Sequence, residues 1–577
     1  MPRLQTVAVE VIIPIINRTT TVLEVVIAAT AEQDLRQIIT LAGHLPEVEV
    51  RAAVRHQEVD HQQEGNMKKK SLIFGMLCAF LSGSIIHAQN LNEVVRYSTE
   101  TLNGTARYQA IGGAFGALGG DLSAISNNPA GSTVFAFNEA SVTADFQSFE
   151  NDATFYGNQE SDQKNSFNIG QVGFVLVLKN PSSSKWDKLA FGFNTHLVNN
   201  FNKQVYFEGT NINRGLQTYF LAHATGVSYD FDLRDTRNIS SEYLFQGNRG
   251  YGAQQTYLAL RSHLMNYDED KNEYYVPGII NPNEGKGVNQ THLVYSKGGQ
   301  RLYTLNFAGR YNKKLSIGAN LNFYSIDYSE TKETFDSYTD QANSFIKEAL
   351  FQEELRTFGT GVSLQVGAIF QASKALRLGL SYTSPTFYAL EDEQMQVLSV
   401  KSQDDLDGDV YTEIIEPNVV NVFGPYNIQT PSKTQASAAL VVGTSGFISA
   451  DFGVKNFANS NISDNAGTDY GYLNNRIEND LDSSTFMRIG GEKRFGDFTL
   501  RAGYWMEQSP YKNTAIKEDF TGYSLGLGIR FGGSALDFSF NVSDQKYKQQ
   551  MYSLGLTDAA DISQRAEQIA LTYSFSF

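Results

Sequence analysis

The sequence predicts an all-β membrane protein, a 14-stranded antiparallel transmembrane β-barrel with an N-terminal plug, or hatch. Three observations predict it. At the C-terminus, large apolar side chains at Ile569, Leu571, Tyr573, Phe575 and Phe577 alternate with Ala570, Thr572, Ser574 and Ser576. Successive strand residues point to opposite faces, so one face of this stretch is apolar, and its roughly ten residues are enough to cross a bilayer in a barrel wall. Segments of the same period recur along the chain, many joined in pairs by tight turns. A Gly/Ala-rich stretch precedes the first of them.

Bulk composition narrows the alternatives. No run outside the N-terminal region reaches the roughly 18 apolar residues a spanning helix needs. Length alone would suggest about three or four soluble domains, yet no Pro/Ser-rich linker marks a boundary, and a large barrel absorbs the 577 residues without one. The single Cys, Cys78, falls in a segment expected to be removed, so the mature chain has no disulfide framework or cysteine metal site. A formal charge of -16 argues against nucleic acid, whose phosphates need clustered Lys and Arg.

In chain order, Met67 with Lys68, Lys69 and Lys70 opens a basic start, a short apolar core follows, and His87 and Ala88 precede Gln89. This is a secretory signal peptide over residues 67–88, too short to anchor, with cleavage expected after Ala88. Residues 1–66 would hold that signal away from the N-terminus, so they read as an over-extended start outside the fold. Residues 89–133 read as the hatch. The glycines of 104–131 lack both phosphate-loop spacings, and their density suits a compact segment threaded inside something else.

The barrel is read over residues 134–577. Its strands are 140–149, 166–178, 188–199, 301–312, 314–326, 358–371, 375–387, 434–443, 446–455, 484–495, 497–507, 521–531, 535–546 and 567–577. Short turns at Asn312-Lys313, Ser373-Lys374, Thr444-Ser445, Gly496-Asp497 and Gly532-Gly533 fall at one end. Long connections, at about 200–300, 327–357, 388–433 and 456–483, fall at the other, the pattern of periplasmic turns and outer loops. Parity puts Leu315, Ile317, Ala319, Leu321 and Phe323 outside, with Leu376, Leu378, Leu380 and Tyr382, and Tyr523, Leu525, Leu527, Ile529 and Phe531. Arg310, Arg377, Asp451, Arg488, Glu492, Arg501, Arg530 and Asp537 then point inward. The second strand, with Val172, Phe174, Val175, Leu176 and Val177, is apolar on both faces, so its inner face touches the plug or the lumen is partly apolar.

Four motifs carry a resemblance. Asn128, Pro129, Ala130 and Gly131 close the Gly/Ala segment; residues 377–385 and 500–510 run from strand into loop; residues 524–531 form the next strand. Together they resemble the FadL/TodX-type outer-membrane transporters of long-chain fatty acids and other hydrophobic compounds, in the Bacteroidetes-like version sometimes labelled hemin receptor. The resemblance spans roughly residues 104–577 and implies a fourteen-stranded barrel stoppered by its own N-terminus, a Gram-negative outer-membrane location and passive uptake. Ligand would be caught by outer loops, held in an apolar pocket by a basic group, and released sideways into lipid through a break at the third strand. That break corresponds to residues 188–199, where Gly192 weakens the strand and Asn194, His196 and Asn199 make its end polar. The resemblance gives Asn127, Asn128, Pro129, Ala130 and Gly131 a gating role; holding the plug against the wall is the plainer one. Terminal Tyr573, Phe575 and Phe577 resemble the signal by which barrel assembly machinery recognises its clients.

Arg310, Arg377, Arg488, Arg501 and Arg530 are candidates to bind a fatty-acid carboxylate; the competing reading has them brace the barrel against Asp451, Glu492 and Asp537. Asp404, Asp405, Asp407 and Asp409 lack the remaining ligands of a calcium loop and read as a solvated acidic loop. His196, His223, His263 and His292 sit in no recognisable haem-ligation motif, and no cofactor or metal is expected. A barrel enzyme would need Ser or Asp beside a rim His, a constellation too weak here to support catalysis. A hemin receptor, and a ligand-binding or adhesion barrel without transport, remain the alternatives.

Overall fold

The structure, a computed structural model, describes residues 91–577 apart from 181–183, 234–237, 278–285 and 404–407. It also describes three short strands, Val7–Ile13, Leu23–Ala29 and Val50–Arg51, which pair with one another as a separate unit. The signal peptide read over 67–88 and most of the acidic loop at 404–409 lie outside the described residues.

Period-2 patterning produces a closed wall. Its strands are β1 (Glu139–Phe155), β2 (Asn158–Lys179), β3 (Trp186–Asn200, continued by Lys203–Asn211), β4 (Val288–Tyr311), β5 (Leu315–Tyr338), β6 (Ile346–Gln371) and β7 (Leu376–Thr383, continued by Phe387–Gln403). The second half is β8 (Asn421–Gln429, continued by Lys433–Val442), β9 (Gly446–Asn456, continued by Asn461–Asp464), β10 (Ser483–Phe495), β11 (Phe498–Glu507), β12 (Phe520–Phe531), β13 (Ser534–Gln550) and β14 (Ala559–Ser576). Each pairs antiparallel with its neighbours, and β14 closes on β1 from Ser576↔Glu139 to Asp561↔Thr154. The fourteen strands read from the sequence are these fourteen.

Alternation sorts the two faces. On β5, Ile317, Leu321 and Phe323 are exposed, whereas Ser316, Gly318, Asn320 and Asn322 between them are buried. Exterior apolar side chains recur on every neighbour at this level, including Leu378 and Leu380 on β7 and Leu525 and Leu527 on β12, which makes the band a lipid-facing surface. At the short-turn end Asn312 and Lys313 both have positive φ, 49° and 57°, as a tight hairpin matched to strand twist requires.

At the other end the strands run past the band. β4 and β5 stay in continuous register from Tyr311↔Leu315 to Val288↔Tyr338, so much of 327–357 is strand. Helices α4 (Leu216–Ala224), α5 (Ile239–Arg249) and α6 (Tyr251–Arg261) belong to this end. Leu216, Tyr219, Phe220, Tyr257 and Leu258 join Phe351, Leu398 and Ile562 in one apolar core. Ahead of β1 the chain forms α1 (Leu91–Ser98), α2 (Ala106–Ala110), α3 (Ala124–Asn127) and a 3-10 turn (Pro129–Val134).

Candidate functional site

Residues 104–134 make their outside contacts with inward-facing groups of the wall. Thr105 caps α2, its hydroxyl accepting from the Tyr108 amide at 3.1 Å and donating to Asp121 at 2.8 Å. Asn127 Nδ2 donates to the Gly113 carbonyl and to Asp451 Oδ2, both at 3.0 Å. Asn128 Nδ2 donates to the Gly116 carbonyl at 2.7 Å and the Ala368 carbonyl at 3.1 Å, while its Oδ1 accepts from the Ala130 amide. The Pro129 carbonyl accepts from Asn306 at 2.9 Å, and Gly131 packs against Gly119. All five residues of the predicted motif are buried.

The wall makes room with glycine. A Cβ on Gly318 would lie 2.6 Å from Pro129, on Gly367 2.2 Å from Asn128, on Gly379 2.3 Å from Gly116, and on Gly490 2.2 Å from Ile111. Gly192 belongs to this set. Its Cβ would meet Ile125 at 3.1 Å, and pairing runs unbroken through it, to Val175 on one side and Asn306 on the other. Val175 packs with Leu122, Ile125 and Phe135, which explains why β2 is apolar on its inner face.

Four of the five candidate arginines are engaged. Arg501 pairs with Glu492 at 2.8 Å and Asp537 at 2.6 Å, Arg310 pairs with Asp187, Arg377 donates to the Leu118 carbonyl at 2.8 Å, and Arg488 donates to Tyr108 Oη at 3.1 Å. Arg530 is exposed at the short-turn end. Asp451 takes no Arg; it accepts from the Gly116 amide, Asn127 and Gln435.

The wall changes character above His196. β2 and β3 pair from Lys179↔Lys188 only as far as Gln171↔His196. Beyond that, β2 pairs with β1 alone and β3 with β4 alone. Side chains span the seam, Gln171 Nε2 donating to Asn194 Oδ1 at 2.8 Å and Asn200 to Ser166 at 2.8 Å, while within β3 Asn194 meets His196 Nδ1 at 3.2 Å. Val198 is bulged out of register with β4, and its carbonyl accepts from Thr101, from the amide at 3.1 Å and from the hydroxyl at 2.9 Å. Asn199 Nδ2 donates to the Arg96 carbonyl at 3.3 Å. The linker between α1 and α2 is therefore tied to β3 where β3 loses one partner.

The same linker reaches a basic cluster. Glu100 Oε2 lies 2.7 Å from Lys433 Nζ, Lys455 pairs with Glu507 at 2.9 Å, and Arg488 stands beside them. Lys433 and Lys455 are register partners on β8 and β9, a like-charge pairing that is unfavourable unless an anion sits with it. Although burial pushes the Glu100 carboxyl up, Lys433, Lys455 and Arg488 outweigh it and hold it well below the usual carboxylate range. A cavity of about 10 Å³, room for one water, is lined here by Glu100, Leu102, Phe486, Arg488, Trp505 and Phe520. Trp505 Nε1 is buried with no acceptor. A cationic head beside an aromatic wall is what the carboxylate end of an amphiphile requires.

Solved structures align with most of this chain at low sequence identity. Its structural neighbours include FadL and TodX barrels. A Pseudomonas aeruginosa FadL homologue aligns at 12% identity over 83% of this chain and 100% of its own, with a TM-score of 0.47. The P. putida toluene transporter TodX aligns at 14% over 82% and 99%, TM-score 0.44, and the Ralstonia pickettii toluene transporter TbuX at 13% over 82% and 99%, TM-score 0.40. No protein-family model matches the sequence, and no curated protein matches it. The strand count rests on the chain's own pairing.

Parity alone placed Arg488 and Asp451 inward. Glu100, Lys433, Lys455 and Trp505 went unread: Lys433 lies one residue before the strand read over 434–443, and the observed register, Val442↔Gly446, differs by one from the turn read at Thr444-Ser445, so only the structure sets Lys433 opposite Lys455. Of the histidines, His196 adjoins the seam, His223 lies in α4, His263 is exposed beside Glu413, and His292 is buried against Phe207.

Proposed function

We propose that this chain is an outer-membrane protein for passive uptake of hydrophobic small molecules, long-chain fatty acids foremost, with no catalytic step. The seam between β2 and β3, which loses its backbone pairing above Gln171↔His196, carries the reading. A ligand caught at the outer end binds with its carboxylate at Arg488, Lys433 and Lys455, and leaves sideways through the seam into lipid. Residues 89–133 act as the hatch that keeps the axial route shut. Each buried CH2 contributes about 0.8 kcal/mol, so partition of the acyl chain into lipid gives direction without an energy source.

The test is a cross-link across the seam. Ser166 and Asn200 touch side chain to side chain, and the only native Cys, Cys78, lies in the proposed signal peptide. Cells carrying S166C/N200C should take up labelled oleate only after reduction, whereas either single variant should behave as wild type. Oleate uptake that is the same with and without the gene would remove fatty acid as the ligand, and uptake unaffected by the cross-link would remove the lateral exit.

A further inference from the structure

We propose that Glu100 is an internal stand-in for the ligand's carboxylate, and that an arriving carboxylate amphiphile displaces it from Lys433 and thereby frees the linker that holds the seam. The inference rests on the uptake reading above and adds to it how ligand and exit are coupled.

Three observations carry it. Lys433 and Lys455 face one another in register inside the wall, and the carboxylate standing against Lys433 comes from the N-terminal linker and not from a wall strand. Glu100 is also less enclosed than its partner, its side chain 33% exposed against 13% for Lys433, so it can be exchanged without dismantling the wall. Its neighbour Thr101 holds the carbonyl of bulged Val198 on β3. The group that competes with ligand and the group that ties the seam are therefore on adjacent residues.

The adjoining cavity holds only one water, so an acyl chain can enter only if the linker yields space. A fatty carboxylate offers the cluster the same charge and the same two acceptor oxygens as Glu100, and its chain lies against Leu102, Phe486, Trp505 and Phe520. Glu100 then leaves with Thr101, and the Val198 carbonyl loses its two shorter donors, keeping only Asn103 Nδ2 at 3.4 Å. Oleyl alcohol, with the same chain and no charge, cannot make this exchange.

Oleate and oleyl alcohol binding are measured on the full chain in detergent, for wild type and E100Q, with hydrogen exchange of residues 99–103. E100Q should bind oleate about tenfold more tightly or better while its oleyl alcohol affinity is unchanged, because an internal competitor is gone. In wild type, oleate and not oleyl alcohol should speed exchange at 99–103. Unchanged or weaker oleate binding by E100Q overturns the proposal and leaves uptake standing. Failure of wild type to bind oleate at all overturns both. If E100Q does not assemble, exchange in wild type decides alone, and no oleate-dependent change at 99–103 refutes the displacement.

Discussion

Asp451 is where the N-terminal segment is most dependent on one side chain. It is buried, and it accepts from the Gly116 amide, from Asn127 and from Gln435. Truncation to Ala leaves three donors without an acceptor, each worth about 1–3 kcal/mol when buried and unsatisfied. Most of that loss falls on the seat of residues 104–134, because the β9 backbone keeps its own pairing with β8 and β10. D451A should therefore still run as a heat-modifiable barrel on an unboiled gel, while trypsin gains access to Arg107, which is inaccessible in wild type. Cleavage unchanged from wild type would show that the segment is held by other contacts. The sequence placed Asp451 inward by parity, but its partners in the N-terminal segment, Asn127 and Gly116, lie 324 and 335 residues away along the chain, a distance no local pattern spans.

At the scale of elements, strands were legible and helices between them were not. Apolar alternation is dictated by lipid on one side and packed polar groups on the other, so each wall strand declares itself. Helices α4 to α6 pack inside their own walled end, where no single amphipathic stripe is demanded, and residues 200–300 consequently read as loop. Glycines at inward positions, Gly318, Gly367, Gly379 and Gly490 among them, marked where another backbone comes close, yet in the sequence they look like weak strand positions. The helical end also carries a pH dependence. His223 on α4 packs against Tyr219 at 4.6 Å and Tyr251 at 5.4 Å, and burial pushes its imidazole down to about 4. An unfolded His titrates near ~6.5. Because the folded value is the lower one, the stability His223 lends α4 is complete above about 6.5 and is lost as pH falls toward 4. Amides of Leu216–Ala224 should exchange faster at pH 5 than at pH 7.5 after correction for intrinsic rates, and H223F should abolish the difference. Equal protection at both values in wild type would exclude His223 as its cause.

For the molecule as a whole, closure depends on the last strand finding the first. β14 is held by β13 on one edge and by β1 on the other, and its end is fixed by the Ser576 amide to the Gly533 carbonyl at 2.8 Å and the Phe577 amide to the Asn138 carbonyl at 3.1 Å. Tyr573, Phe575 and Phe577 meanwhile stand on the exterior, exposed, with ring centroids 6.3 and 5.8 Å apart along the strand. They contribute nothing to the lumen, so a requirement for them would have to arise from lipid or from assembly machinery that reads the free end before closure. Removing the Phe577 side chain costs the folded barrel only one exterior aromatic contact, whereas loss of a recognition signal costs assembly itself. F577A should therefore lower the fraction of heat-modifiable barrel recovered from outer membranes several-fold, while protein refolded from denaturant into detergent should reach the wild-type yield and the same unfolding midpoint. Equal recovery from membranes would deny the terminal Phe a part in assembly, and a matching deficit in detergent would assign it to stability instead.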